Sequence, residues 1–226
     1  RHLTYRSWNP VLNKSTFLSS HVQSEKMTIN GTVNKTFISL ILLVTAGYYC
    51  FTSVSPVIII GGAIGGLIVA IITIFKKEWA PITVPLYALL EGCFLGGISY
   101  MYNTMYEGIV SNAIFLTIGI LLSLLFAYKS GWIKPTENFK LGIAAATGGI
   151  FIVYLVNMVM GFFGSQMGIM DINNSSMFSI VFSLFVVVIA SLNLVLDFDF
   201  IEEGAEKGAP KYMEWYGAFG LLVTLI

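Results

Sequence analysis

The sequence has little charge and few of the side chains that soluble enzymes use for catalysis. Only 11% of its 226 residues are charged, against roughly 25% in an ordinary soluble domain, and 56% are hydrophobic. Twelve basic side chains balance twelve acidic ones, so no basic field suggests a nucleic-acid partner. Both histidines, His2 and His21, precede the first hydrophobic run. The composition excludes nucleic-acid binding and indicates a chain whose main solvent is lipid.

Catalytic and cofactor motifs are also missing. HExxH, GxSxG and Walker patterns are absent, and no apolar run contains a histidine that would act as a base or a zinc ligand. An aspartyl intramembrane protease needs aspartates on two helices, whereas LDFDF places two on one. Cys50 and Cys93 lie in separate apolar runs, without the spacing of a disulfide framework or a zinc site. We therefore expect no enzyme, no bound cofactor and two buried free thiols.

Long hydrophobic runs take up most of the chain. About 20 apolar residues allow an α-helix to cross the ~30 Å hydrocarbon layer of a bilayer, so the sequence predicts an all-α polytopic membrane protein. We expect a polar N-terminal tail over 1–35 and a transmembrane helical domain over 36–226. The expected spans are 36–53, 56–75, 82–102, 109–128, 139–163 and 177–200, with a seventh from 213. The seventh covers only about 21 Å before Ile226, so we expect it to be truncated.

Basic residues alternate between successive connections. The tail carries five of the twelve, the others lie in or beside the second, fourth and sixth connections, and the remaining connections have none. Because positive charges favour the cytoplasmic side of a membrane, this alternation agrees with six crossings and predicts a cytoplasmic N-terminus.

Glycines recur at four-residue spacing in the second and third runs. They are Gly61 and Gly65, Gly62 and Gly66, and Gly92 and Gly96. Glycine at i and i+4 flattens one helix face, which lets a neighbouring backbone approach closely. We interpret these faces as packing surfaces, with a gating role for a loosely held second helix as the alternative.

The acidic residues inside apolar runs are the candidate functional groups. A charged carboxylate at membrane depth costs at least ~2.5 kcal/mol, so such residues usually face a bundle interior or a water-filled cavity. Glu91 lies about ten residues into its run, near the bilayer centre. Asp197 shares a helix face with Asn193, whereas Asp199 is rotated by ~200°. Asp199 is expected in the wet interfacial layer, with a role beside Asp197, Glu214 and Glu91 in proton sensing or gating as the alternative.

Basic side chains lie only at the ends of the spans, so the buried acids must hold a proton, share one or bind a cation. Burial and a neighbouring carboxylate both favour the protonated form. Oxygen ligands suit calcium, and a proton and a calcium ion at Asp197 would compete for the same oxygens. This pattern of buried acids is typical of a proton-controlled switch or of an ion pathway.

Other polar residues are expected to face the interior of the helix bundle. Glu214 begins the seventh helix and would approach either aspartate if the last two helices pack side by side; otherwise it is an interfacial anchor. Tyr154 and Asn157 of the fifth helix, with Asn193, are expected to line a polar interior or to be satisfied by nearby backbone.

Three phrases carry a resemblance to a known family: SWNPVL, PLYALLEGCFLGGIS and LNLVLDFDFIEEGAEKGAPKYMEWYGAFGLLVTL. The chain resembles, over nearly its whole length, the bacterial branch of the Bax inhibitor family, the transmembrane Bax inhibitor motif proteins. The resemblance implies seven transmembrane helices, six of them surrounding a central seventh. It also implies an inner-membrane location and a pH-sensitive calcium leak. Aspartates on the sixth and seventh helices would share the proton that sets the open or closed state.

The sequence matches this family pattern only in part. The sixth-helix aspartate corresponds to Asp197, but Phe219 and Gly220 occupy the region of the second one. Either Glu214 or Glu91 replaces the missing carboxyl, or this branch has lost the calcium function.

We therefore expect a calcium or cation leak channel gated by buried carboxylates, with membrane lipid, protons and calcium as its partners. A non-transporting regulator that binds a protease or another membrane protein is the first alternative. The second is a proton-coupled carrier using Glu91, which the lack of a clear inverted repeat disfavours.

Overall fold

The computed structural model describes residues 26–130, 132, 135–165, 167–170 and 176–226, so the predicted tail before Lys26 lies outside the described residues. The helices are α1 (Ile29–Thr52), α2 (Pro56–Phe75), α3 (Ala80–Met105), α4 (Ile109–Lys129), α5 (Glu137–Phe162), α6 (Met177–Glu206) and α7 (Met213–Leu225). Short 3-10 turns occur at Lys77–Trp79 and Gly168–Met170. No strand occurs in these ranges apart from one isolated bridge between Lys26 and Pro210. The predicted all-α class is confirmed.

Six of the helices, α1 to α6, are long and apolar enough to cross a membrane. The thirteen-residue α7 is not among them. The six predicted runs therefore correspond to the six membrane-spanning candidates.

Two helices extend beyond their predicted ends, because a side-chain cap at the start of α1 and backbone hydrogen bonds at the end of α6 satisfy the terminal backbone groups. Helix α1 begins at Ile29 rather than 36, since the Thr28 side chain caps it by accepting a hydrogen bond from the Gly31 N–H at 3.0 Å. Helix α6 continues to Glu206 rather than 200 and is followed by Gly208 with a φ of 68°, the left-handed conformation common just after a helix. The end of the polar tail and the beginning of the 201–212 connection are thus helical.

Packing differs sharply between the two halves of the bundle. Helices α1, α2 and α3 pack closely together, and α7 packs against α1, α3 and α6 with nearly every residue from Met213 to Leu222 buried. In contrast, the most hydrophobic window of α4 has no buried residue, and α5 buries only Ile143 and Ala144. The exposed apolar surfaces of α4 and α5 suit contact with lipid.

Glycine faces join the first three helices. A Cβ atom on Gly62 would lie 2.7 Å from the Leu90 carbonyl oxygen of α3, and one on Gly96 would lie 2.2 Å from the Gly47 carbonyl oxygen of α1. Only glycine fits such close backbone contacts. Gly61, in contrast, has open space at its Cβ position, and Gly65 lies only against the Leu90 side chain, so Gly62 and Gly66 form the closer of the two overlapping glycine pairs of α2.

Candidate functional site

The start of α1, the end of α6 and the start of α7 meet at one end of the bundle. The Met27 N–H donates to the Ala209 carbonyl at 2.7 Å, next to the bridge between Lys26 and Pro210. This backbone pairing ties the segment before α1 to the loop between α6 and α7. We call this end, which also carries Lys35, Lys77, Lys140, Lys207 and Lys211, the basic end.

Glu214, in the first turn of α7, is the best-connected acidic residue at the basic end. It is 0% exposed, and its Oε1 accepts hydrogen bonds from both the N–H and the hydroxyl of Thr28, each at 2.9 Å. Its Oε2 forms an ion pair with the Lys35 Nζ at 2.5 Å, and Lys211 Nζ lies 3.3 Å from Oε1. A Cβ atom on Gly31 would lie 2.0 Å from Oε1, so glycine at this position makes room for the carboxylate. We call these five residues the Glu214 junction.

The charge of Glu214 is stabilised in this junction, and Glu214 itself lies on α7, outside the six membrane-spanning candidates. Burial alone raises the pKa of its carboxyl, but hydrogen bonds from Lys35 and Thr28 and the charge of Lys35 outweigh it, so the pKa falls below its ordinary value of 4.5. Glu214 is therefore ionised at neutral pH. Its predicted role as the proton-sharing partner of Asp197 stays a prediction, and the lowered pKa argues against titration near neutral pH.

Asp197 and Asp199 occupy different environments on α6. Asp197 is 1% exposed and lies on the buried stretch that includes Leu194 and Ile201. The Asp199 side chain is 27% exposed and forms an ion pair with Lys140 of α5. These positions agree with the opposite orientations expected from their spacing. Asp199 therefore links α6 to α5, and Asp197 is the aspartate buried in the bundle.

The remaining polar residues predicted to line an interior lie in separate places. The Asn193 side chain donates to the Thr147 hydroxyl at 3.0 Å and to the Ile189 carbonyl at 2.9 Å, which joins α6 to α5. Asn157 accepts a hydrogen bond from the Met167 N–H at 2.9 Å and stabilises the connection after α5. Tyr154 is half exposed on the outer surface of α5. Their role as pore lining stays a prediction.

Glu91 lies in the middle of α3, against α2. A Cβ atom on Gly66 would come within 2.7 Å of Glu91 Oε2, so the carboxylate lies directly over the glycine backbone. Tyr87, one turn earlier, packs edge-on against Phe219 of α7 with ring centroids 5.0 Å apart. Glu91 is eleven residues into α3, which begins at Ala80, so it lies about 17 Å from the start of that helix. It is well separated in depth from a residue in the first turn of α7.

No group of three or more metal-ligating side chains occurs within the described ranges, so calcium at Asp197 stays a prediction. Both cysteines are free, and the buried Cys50 side chain lies beside that of the half-buried Cys93. Their proximity across α1 and α3 was not visible in the sequence, because 42 residues separate them.

Sequence reasoning missed Thr28, Gly31 and Lys35 as partners of a buried acid. Lys35 was interpreted only as a tail charge that sets orientation. A local signal existed, since a threonine just ahead of an apolar run is a typical helix N-cap residue. Nothing local indicated that Glu214, 179 residues after Lys35, lies beside it.

The fold and its apolar outer surface define a class: a multi-pass membrane protein built as an α-helical bundle. A sequence profile of the Bax inhibitor 1 like family matches residues 9–226, and the chain belongs to that family. The resemblance predicted from its three phrases is thereby confirmed. No curated protein matches the chain. No solved structure matches it either.

Proposed function

We propose that this protein is a pH-sensitive leak channel for calcium, or for another cation, and that protonation of Asp197 controls it. The burial of Asp197, at 1% exposure on α6, supports this most directly. Taking a charge out of water costs several kcal/mol, so gaining or losing a proton at a buried carboxyl strongly changes the stability of the surrounding packing. Membership of the Bax inhibitor 1 like family is the second support.

In this proposal the two buried acids near the basic end have different tasks. Glu214 stays ionised and holds α7 against α1 through Thr28 and Lys35. Ionised Asp197 keeps α6 in its closed position by accepting hydrogen bonds or by holding a cation, and a proton removes that attraction. Helix α6 then moves relative to the fixed α1 and α7. Glu91 is the second titrating carboxyl, in the middle of α3.

We further propose that the basic end faces the cytoplasm, in line with the positive-inside rule. Helices α1 to α6 then cross a bacterial inner membrane and surround α7. The burial of nearly all of α7 supports this arrangement. The protein acts without catalysis and without a bound cofactor.

Calcium flux into dye-loaded proteoliposomes tests the leak function across pH 8 to 6, the range in which perturbed carboxyls titrate. We expect flux to rise several-fold towards pH 6, and Asp197→Asn to make it independent of pH. Asp199→Asn is the matched control, because it makes the same change on the same helix at an ion-paired position. We expect this control to keep the wild-type pH response, and an unchanged response in Asp197→Asn would exclude Asp197 as the sensor.

A non-transporting regulator is the second candidate, supported by the open glycine positions of α5. Gly142 and Gly149 have nothing within 4 Å of their Cβ positions and lie two turns apart on one face. A partner helix would be able to approach that face closely. Absence of flux from folded protein at every pH, together with a co-purifying membrane protein lost in Gly149→Leu, would favour the regulator. A proton-coupled carrier has no further support in the structure.

A further inference from the structure

In the first half of α1 the buried residues carry hydroxyl groups, and many of the exposed residues are apolar. Thr32, Thr36 and Ser39 are all buried, and their four- and three-residue spacing places them on one side of the helix. Large apolar residues such as Phe37 and Ile41 are exposed on the other faces. We call the three buried hydroxyl residues the hydroxyl face. Small polar residues turned inwards and apolar residues turned outwards are typical of a membrane helix that faces a bundle interior or a water-filled cavity.

Two of the three hydroxyl groups of this face already donate their only proton to a backbone carbonyl. The Thr32 hydroxyl donates to the Thr28 carbonyl at 3.1 Å, and the Thr36 hydroxyl donates to the Thr32 carbonyl at 2.9 Å. Each hydroxyl has one proton and two acceptor lone pairs. These two oxygens therefore present only acceptor positions to any other group, which favours a cation or the hydrogens of water over an anion.

Ser39 is the residue of the hydroxyl face whose side chain lacks a hydrogen-bond partner in the described part of the chain. It is 0% exposed. A buried hydroxyl left without a partner costs about 1–3 kcal/mol. Such groups are commonly satisfied by an ordered water or an ion. A water molecule or a hydrated cation beside Ser39 would therefore satisfy its hydroxyl group and remove this free-energy cost.

Helix α7 lies opposite the outer end of the hydroxyl face and places a negative charge there. A Cβ atom on Gly217 would lie 3.0 Å from the Thr32 methyl group, so glycine at this position lets α7 approach the hydroxyl face closely. Ionised Glu214 lies one turn earlier on α7, at the start of α1. A cation entering from the basic end would therefore meet a carboxylate first and then a line of hydroxyl oxygens.

We propose that Thr32, Thr36 and Ser39 form one wall of a hydrated cation path between α1 and α7, entered from the basic end. This proposal rests on the leak function for the identity of the permeating ion, because the path would serve that flux. Its hydration does not depend on flux and is tested separately.

Cysteine accessibility tests the path. In a Cys50→Ala/Cys93→Ala background, Thr36→Cys and Ser39→Cys are reconstituted in liposomes at pH 6 and treated with a cationic and an anionic methanethiosulfonate reagent. We expect both to react with the cationic reagent, at least ten-fold faster than with the anionic one after each rate is normalised to that of free cysteine. Phe37→Cys, on the exposed apolar side of the same helix, is the matched control and should not react.

Calcium flux measured on the same preparations separates the two proposals. Rapid cationic labelling at 36 and 39 without flux would support the hydrated path and contradict the leak function. Flux without labelling at either position, in variants that keep the wild-type melting temperature, would overturn the path and leave the leak intact. Labelling at 37 equal to that at 36 and 39 would also overturn it, because the accessible surface would then not be the hydroxyl face.

Discussion

The buried Glu214 and the half-buried Glu91 are held in opposite ways. Glu214 lies where two helices begin, and a backbone N–H, a hydroxyl and two lysines surround it. Glu91 lies in mid-helix over the Gly66 backbone, and no ion pair reaches it within the described part of the chain. The first N–H groups of a helix are free to bind an acid, whereas backbone groups in the middle already bond one another. Helix ends can therefore hold a permanent charge, and mid-helix acids depend on a proton, water or a cation.

Removing the lysine that pairs with Glu214 should have the largest effect on this contrast. Lys35→Met leaves the carboxylate buried with Thr28 and Lys211, and losing one partner of a buried pair costs about 3–5 kcal/mol. We expect a loss near the lower end, because Lys211 remains 3.3 Å away. Unfolding by denaturant in detergent micelles measures it.

Lys207→Met is the control for that measurement. It breaks the pair with Glu203 on the more exposed surface of α6, for which about 0–1 kcal/mol is expected. Equal losses in the two variants would show that the Glu214 junction behaves as an ordinary surface pair, and the contrast with Glu91 would disappear.

A matched pair of glycine substitutions compares how firmly the two carboxylates are held. A Cβ atom on Gly31 would overlap three atoms of the Glu214 carboxylate within 2.4 Å, whereas one on Gly66 would approach a single Glu91 oxygen at 2.7 Å, with its next neighbour at 3.8 Å. Gly31→Ala should cost about 1–3 kcal/mol by overpacking a fixed group. Gly66→Ala should change stability by less than ~1 kcal/mol, because a free carboxylate swings aside and alanine favours the helix. A large loss in Gly66→Ala would reveal a firm partner for Glu91.

The sequence predicted the helices well because lipid demands long apolar runs, which are visible without knowledge of contacts. It misplaced the start of α1 and the end of α6, since polar residues there are helical once capped. It identified Glu214 but not its environment, because Thr28 and Lys35 are 186 and 179 residues away along the chain. The opposite orientations of Asp197 and Asp199 were predicted correctly, because helix geometry alone determines how two residues of one helix are oriented relative to each other. Contacts between residues that are far apart in the sequence become visible only in the three-dimensional fold.

The smallest effect we predict is the pH dependence of the Glu214 junction. Because the folded-state pKa of Glu214 lies below its ordinary value of 4.5, the charge contributes stability that is fully present above that value. This stability is lost as the pH falls through the folded-state pKa. The melting temperature of wild type in detergent should exceed that of Glu214→Gln by a constant margin from pH 7 to about pH 5. The margin should shrink at lower pH, where both side chains are neutral. A margin that already shrinks between pH 8 and 6 would mean that Glu214 titrates in the range assigned to Asp197. Glu214 would then not carry the permanent charge that distinguishes it from the titrating Asp197.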